Sequence, residues 1–149
     1  MEIELFSDDY YMREALKQAQ MAFDEGEIPV GAVVVSNQKI IARAHNLTQR
    51  LNDVTAHAEM QAITAAANYL GSKYLHNCSI YITLEPCSMC TGALFWSQVS
   101  RIVIGAADPK SGFSAKGGVL HPKTEYSTGV MEVESAELMT SFFQSKRKK

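Results

Sequence analysis

A chain of 149 residues that is 46% hydrophobic and 20% charged has the size and mix of one globular domain over residues 1–149, which excludes a disordered or fibrous protein. The net charge of −2 excludes a general attraction to nucleic acid, so a polyanionic partner would need the basic tail formed by Lys146, Arg147, Lys148 and Lys149. No apolar run approaches the ~18 residues of a membrane span and the N-terminus carries acids rather than a signal-peptide pattern, so we expect a cytoplasmic protein without membrane contact.

The N-terminal part of the sequence predicts a helix followed by a β-hairpin. Apolar residues recur at helical spacing over residues 8–25, and Gly26 is a typical stop. A β-rich run at 30–35 is joined by a short polar turn to a second strand at 39–44. Gly31 inside the first strand favours a close backbone approach, either by a neighbouring element or by a bound base.

The remaining sequence alternates helices and strands. The pattern predicts helices at 57–70 and 88–97, strands at 80–84 and 101–105, a weak strand at 130–133, and a last helix from about Ser135. This alternation implies a layered α/β domain in which the two central helices pack on a sheet. The predicted loop at 108–128 is longer than a compact domain usually needs, and loops of that length are often functional.

Two short motifs carry the residues best suited to chemistry. His57 and Glu59 form a His-x-Glu motif, while Cys87 and Cys90 form a Cys-x-x-Cys motif. Each motif is weak alone, because the first is usually a solvated helix turn and the second could be a redox pair or half of a structural zinc site. Each motif nevertheless follows β structure at the start of a predicted helix, so the two helix ends could present their side chains to one point.

Imidazole and thiolate ligands together indicate zinc. A structural zinc site has four protein ligands, whereas a catalytic site leaves a position for water. The sequence offers three ligands: His57, Cys87 and Cys90. Cys78 is predicted to be a buried apolar residue at the far end of its strand, and His45 stays open as a fourth ligand. With an open position, Glu59 could accept a proton from water, which predicts a hydrolytic enzyme.

A family resemblance extends over nearly the whole chain. It is carried by the segments 29–32, 52–59, 84–93 and 108–112 together with Asn46. The His-x-Glu and Pro-Cys-x-x-Cys motifs match the zinc deaminase signature, and their flanking residues resemble those of the bacterial tRNA-specific adenosine deaminases. The resemblance implies a three-layer α/β/α cytidine-deaminase-like fold with a mixed five-stranded sheet.

The same resemblance implies an activity and a set of roles. The activity is zinc-dependent hydrolytic deamination of adenosine to inosine at the wobble position of a tRNA anticodon, with release of ammonia, by a homodimer. His57, Cys87 and Cys90 would bind zinc, and Glu59 would move the protons. The residues expected to contact the substrate are Asn46, Asp108, Phe143, Lys146 and Arg147. The segments 112–118 and 119–126 depart from the family pattern, so the substrate contacts of this variant loop, 112–126, stay open.

The residues themselves leave simpler alternatives. Asn46 could cap a turn and Asp108 could begin one. Phe142 and Phe143 could belong to the core, or one could pack while the other is exposed. The basic tail could be a solvated end.

Two other functions compete with deamination of tRNA. The first is deamination of a free base or nucleoside such as guanine or cytosine, which would use the same zinc residues. The second is a non-catalytic subunit that binds zinc or RNA. Glu59 argues against the second, because a structural metal site has no need for an unliganded carboxylate beside the metal.

Overall fold

The computed structural model describes residues 3–147, so Lys148 and Lys149 of the predicted basic tail lie outside the described residues. The five strands are β1 (Gly31–Ser36), β2 (Lys39–His45), β3 (Cys78–Leu84), β4 (Arg101–Ala106) and β5 (Glu125–Ser127). The helices are α1 (Asp8–Asp24), α2 (Ala58–Leu70), α3 (Ser88–Ser97), α4 (Phe113–Lys116) and α5 (Glu132–Arg147).

The strands form one mixed sheet in the order β2-β1-β3-β4-β5. β1 is antiparallel to both β2 and β3, whereas β3, β4 and β5 run parallel. Helices cover both faces of the sheet, which confirms the predicted three-layer fold. Within residues 3–147, no helix is long and apolar enough to span a membrane.

The alternation of side chains along β1 divides the core between the two faces. Val33 and Val35 pack with Tyr11 of α1 on one face. Ala32 and Val34 belong to the larger cluster on the other face, which includes buried alanines of α2. The period-2 pattern therefore places α1 and α2 on opposite sides of the sheet.

Gly31 is the point where α1 lies closest to the sheet. A Cβ atom at this position would lie 2.0 Å from the carbonyl oxygen of Ala15 and 2.5 Å from the amide nitrogen of Ala19. The prediction of a close backbone approach is confirmed, and the approaching element is α1. Because α1 covers this glycine, a base cannot lie against it.

The predicted strand at 130–133 is wrong. The fifth strand is β5, which lies inside the predicted loop together with α4. Gly129 and Met131 have positive φ angles of 88° and 55°, which interrupt an extended chain. Val130 and Met131 pack against the cluster beside α1, so their apolar character reflects a partly buried turn. The last helix consequently begins at Glu132, earlier than predicted.

A bidentate ion pair joins α1 to the start of β4. Arg101 donates from Nη1 to Oδ1 and from Nη2 to Oδ2 of Asp8, each at 2.7 Å, and the Tyr81 hydroxyl donates to Oδ1 at 2.7 Å. The hydrogen bond from Arg101 holds the pKa of Asp8 below its ordinary value. The pair therefore stabilises the folded state only while Asp8 is ionised.

Asp8→Asn is expected to lower the free energy of unfolding by about 1 kcal/mol at neutral pH, because the pair is partly exposed and screened by solvent. The pKa of Asp8 is lower in the folded protein than its ordinary value of 3.8, so the stabilisation is complete above that value. It is lost as the pH falls through the folded-state pKa. Urea denaturation of both proteins at decreasing pH checks this expectation. A difference in stability that grows on acidification would contradict it.

Asp9→Asn is the matched control for this measurement. Asp9 is an exposed residue in the same first turn of α1, so its removal changes the net charge and the helix-end interaction equally. The control variant is expected to be clearly more stable than Asp8→Asn.

Candidate active site

A pocket of about 760 Å³ lies at one edge of the sheet. It opens where β3 and β4 end and β1 begins, because β1 is antiparallel to β3 whereas β4 is parallel to it. α2 and α3 both begin at this edge, directly after His57 and Cys87 respectively. The C-terminal edge of parallel strands is the usual ligand-binding position in α/β sheets.

Three potential metal ligands converge in this pocket. His57 Nδ1 lies 3.6 Å from Cys87 Sγ and 3.4 Å from Cys90 Sγ, and all three atoms lie within 4.8 Å of one another. Tetrahedral zinc would separate a sulfur and a nitrogen ligand by about 3.5 Å, given zinc–ligand bonds of roughly 2.3 and 2.0 Å. The donor set and its spacing therefore fit a metal ion of this kind.

The two residues considered for a fourth ligand lie elsewhere. His45 is hydrogen-bonded through Nδ1 to Gln18 and through Nε2 to Glu25. Cys78 is buried at the start of β3, as predicted. Neither belongs to the three-residue group found within residues 3–147, so a four-coordinate metal held by that group would have one position for water or substrate.

The three potential ligands His57, Cys87 and Cys90, called the metal-binding group below, favour a thiolate at Cys87. The pKa of the Cys87 thiol is lowered to about 3, first by a hydrogen bond from Cys90 and then by one from His57. The same hydrogen bond raises the pKa of Cys90, because its proton lies between the two sulfur atoms. Cys87 is the N-cap residue of α3, and the positive N-terminal end of that helix also favours a lowered pKa of the Cys87 thiol. A negative charge at this point suits a bound cation.

Glu59 lies in the first turn of α2, one residue beyond the N-terminus of that helix. Its side chain lines the pocket and is only 4% exposed. Burial raises the pKa of its carboxyl group to about 7. A carboxyl group with this pKa can both accept and donate a proton near neutral pH, as an acid–base group must.

Asn46 has one structural contact and one group left for a ligand. Its Oδ1 accepts a hydrogen bond of 2.8 Å from the amide of Ala58, the first residue of α2. The alternative that Asn46 has a capping role therefore holds for its Oδ1 atom. Asn46 also lines the pocket, and within residues 3–147 no hydrogen bond engages its Nδ2 amino group. The side chain can thus donate to a molecule in the pocket.

The end of α5 forms the rim of the pocket. Phe142 is 4% exposed and packs against Phe23, whereas Phe143 is 42% exposed. This outcome confirms that one phenylalanine packs while the other is exposed. Phe143, Lys146 and Arg147 all line the pocket. An aromatic ring and two cations at the mouth of a cavity suit a base and its phosphates.

Asp108 also lines the pocket. Its Oδ1 accepts hydrogen bonds from the amides of Lys110 at 3.3 Å and Ser111 at 3.0 Å, so it does begin a turn. Eight of the nine candidate residues thus line the pocket. The ninth, Cys90, does not line it but contacts His57.

The sequence analysis missed two groups of lining residues. The first is an apolar wall formed by Ile28, Val30, Leu84 and Met139, which suits a planar base. The second is the carboxylate of Glu85, which is 6% exposed and accepts hydrogen bonds from the loop after β4. No periodicity marks these residues, because they come from three separate segments of the chain. The apolar residues beside Pro29 and Glu85 were the available signal.

The fold and the site together define the chain as a zinc-binding deaminase of the cytidine and deoxycytidylate class, and the model of that zinc-binding region matches residues 6–106. A tRNA-specific adenosine deaminase of Bacillus subtilis (strain 168) is 44% identical over 151 aligned positions, which cover 95% of this chain and 92% of the relative. The corresponding enzyme of Aquifex aeolicus (strain VF5) is 39% identical, with 93% and 95% coverage.

A solved structure from work on A-to-I editing by tRNA:A34 deaminases at the wobble position of transfer RNA superposes with a TM-score of 0.81. It is 40% identical, over 87% of this chain and 98% of that chain. The chain belongs to the family of tRNA-specific adenosine deaminases.

Proposed function

We propose that this protein hydrolyses adenosine to inosine at the wobble position of a tRNA anticodon, with zinc as its cofactor. The observation that carries the proposal is a buried acid–base carboxylate, Glu59, beside a His-Cys-Cys group in a pocket with a basic and aromatic rim. A site that only binds metal has no use for that carboxylate.

Zinc held by His57, Cys87 and Cys90 supplies a Lewis acid that makes water a better nucleophile near neutral pH. The spacing of the three donor atoms and the thiolate at Cys87 support this ligand set. Two thiolates would cancel the charge of such an ion, so it would acidify water less than an ion held by three histidines. A neighbouring base is therefore needed.

Glu59 is that base. Its carboxylate accepts a proton from water as the water oxygen bonds to C6 of adenine, and the protonated carboxyl group passes the proton to the adjacent ring nitrogen. Glu59 then carries the second water proton to the amino group. The bond between C6 and the nitrogen of the amino group breaks, ammonia leaves, and inosine remains.

The pocket walls orient the base for this attack. The free amino group of Asn46 donates a hydrogen bond to an acceptor of the base, while Oδ1 stays engaged with α2. Ile28, Leu84 and Met139 provide apolar contacts to the ring and exclude bulk water. Because the reacting carbon has to reach Glu59, which is only 4% exposed, the target nucleotide must leave the stack of the anticodon loop.

The rim residues bind the surrounding RNA. Phe143 offers an exposed ring for stacking, Lys146 and Arg147 offer charges for phosphates, and Asp108 lies beside the backbone of the RNA.

The double variant Lys146→Ala/Arg147→Ala is expected to raise KM for tRNA about tenfold while kcat changes little, because both side chains bind phosphates away from the reacting atoms. The slope of log KM against log salt should fall by about 1 to 2. Kinetics at several salt concentrations check this. A fall in kcat with an unchanged KM would contradict it.

Lys39→Ala is the matched control for the double variant. Lys39 is the first residue of β2. It pairs with Ser36 of β1, which in turn pairs with Cys78 at the start of β3, so Lys39 lies at the end of these strands that is away from the pocket. Its removal changes the net charge without touching the pocket, so KM should stay near the wild-type value.

We also infer that the protein forms a homodimer. An apolar surface lies between α2 and α3, where Trp96 is 74% exposed and Tyr74 is 37% exposed beside Ile63 and Ala93. Exposed apolar surfaces of this kind are typical of protein contacts. Sedimentation equilibrium is expected to show a dimer for the wild type and a weakened dimer for Trp96→Glu. A monomeric wild type would contradict the inference.

Inosine formation in an unmodified tRNA with adenosine at the wobble position tests the proposed activity. Free adenosine, guanine and cytosine are incubated in parallel, and ammonia release is measured in each reaction. We expect inosine in the tRNA alone. Ammonia from a free base with unchanged tRNA would replace the proposal with the free-base alternative, and no reaction in any sample would favour a non-catalytic subunit.

A further inference from the structure

Glu85 is a buried carboxylate in the pocket that the proposed chemistry does not use. It follows the last residue of β3 and precedes Pro86, which leads into the metal-binding segment. Its Oε1 accepts a hydrogen bond of 3.0 Å from the amide of Asp108. Its Oε2 accepts one of 2.9 Å from the amide of Ser114 and another from the hydroxyl of that residue. Both oxygens of Glu85 therefore bind the loop that follows β4.

The loop turns closely around this carboxylate. A Cβ atom at Gly112 would lie 2.5 Å from Cδ and from Oε2 of Glu85, and 2.6 Å from the carbonyl oxygen of Asp108. The amide of Gly112 donates to that same carbonyl at 2.9 Å, which closes the turn. Only glycine leaves room for Glu85 at this position, so the Asp108 to Gly112 motif is shaped to fit the carboxylate.

The loop carries residues toward the pocket. Lys110 and Ser111 line it between Asp108 and Gly112. The amide of Phe113 also donates to the carbonyl oxygen of Pro86 at 2.9 Å, so the loop contacts the chain just before the first cysteine ligand. Glu85 consequently links the loop that carries Lys110 and Ser111 to the chain segment that holds the two cysteines of the metal-binding group.

We propose that Glu85 is a positioning residue that holds the 108–116 loop in the conformation that binds the RNA next to the reacting base. This inference rests on the proposed function, because the loop is taken to contact the substrate. Glu85 acts through the backbone of the loop, so its loss weakens tRNA binding and leaves the chemical step in place.

Glu85→Gln removes this link without changing the size of the side chain. In either orientation of the amide, its NH₂ group faces a backbone N–H that previously had an acceptor, at Asp108 or at Ser114. Glu14→Gln is the matched control, because Glu14 is also a buried glutamate but lies on α1 and pairs with Lys17 and Arg43. Gly112→Ala disturbs the same contact from the side of the loop.

The experiment compares the wild type with these three variants in steady-state deamination of tRNA and in limited digestion with trypsin. We expect Glu85→Gln and Gly112→Ala to raise KM about tenfold with kcat nearly unchanged. Cleavage after the exposed residues Lys110 and Lys116 should become faster in both variants. Zinc content should stay at the wild-type level, and Glu14→Gln should match the wild type in KM and in cleavage at both sites.

An unchanged KM in Glu85→Gln, or unchanged cleavage at both lysines, would overturn the proposal. Loss of zinc from Glu85→Gln would also overturn it, since the residue would then support the metal-binding segment instead. If Glu85→Gln does not fold, Gly112→Ala decides by the same two readouts. A wild type that forms no inosine would refute the proposed function, and unchanged cleavage in the variants would then refute the link between Glu85 and the loop separately.

Discussion

Glu59→Gln is expected to reduce kcat for deamination by about 10⁴-fold, at the upper end of the usual contribution of one acid–base group. The reason is that Glu59, a buried carboxyl group in the pocket, is proposed to carry protons from water to the ring nitrogen and then to the leaving amine. The amide is nearly the same size, so the pocket and the metal-binding group should keep their shape. Single-turnover kinetics with saturating enzyme measure the chemical step directly.

Zinc content and tRNA affinity are the controls for this variant. Both should stay close to the wild-type values, because Glu59 is not a member of the metal-binding group. A variant that retains zinc and also retains more than about a tenth of the wild-type kcat would remove Glu59 from its proposed role.

Removal of zinc is expected to abolish deamination completely. Chelation should bring the rate to background, and added zinc should restore it. The reason is that no side chain that lines the pocket within residues 3–147 can replace the metal ion as a Lewis acid. Cys90→Ala should have the same effect permanently, since two ligands hold zinc much more weakly than three. Metal analysis and inosine formation on the same samples check both expectations.

Cys78→Ala is the matched control for the ligand variant. Cys78 is also a buried cysteine, but it lies at the start of β3 and outside the metal-binding group. This variant should bind zinc and deaminate at wild-type levels. Full activity in zinc-free protein would contradict the metal-dependent chemistry.

The sequence predicted α1, α2 and α3 well, and the ends of α1 and α2 carry local signals. Ser7 caps α1 by accepting a hydrogen bond from the amide of Tyr10, and Gly71 ends α2 in the left-handed conformation. The failure at 130–133 has a physical cause as well. A partly buried turn can have the same apolar composition as a strand, and here the positive φ angles at Gly129 and Met131 distinguish the two.

The metal-binding group was predictable because each of its motifs stands at a helix start, and the sheet topology brings the two starts together. The role of Glu85 was not predictable, since its partners lie 23 and 29 residues further along the chain and include two backbone amides, which have no sequence signature. The hydrogen bond from Ala58 to Asn46 was hidden for the same reason. Such contacts depend on the path of loops, which local patterns do not determine.

The most direct test of zinc-dependent hydrolysis at the wobble position is deamination of an unmodified tRNA in water enriched in heavy oxygen, followed by mass analysis of fragments of the RNA. We predict one heavy oxygen atom in the wobble nucleoside of the anticodon fragment for each ammonia released, and no reaction with the zinc-free protein or with Glu59→Gln. Ammonia release without heavy oxygen at that nucleoside would contradict the account.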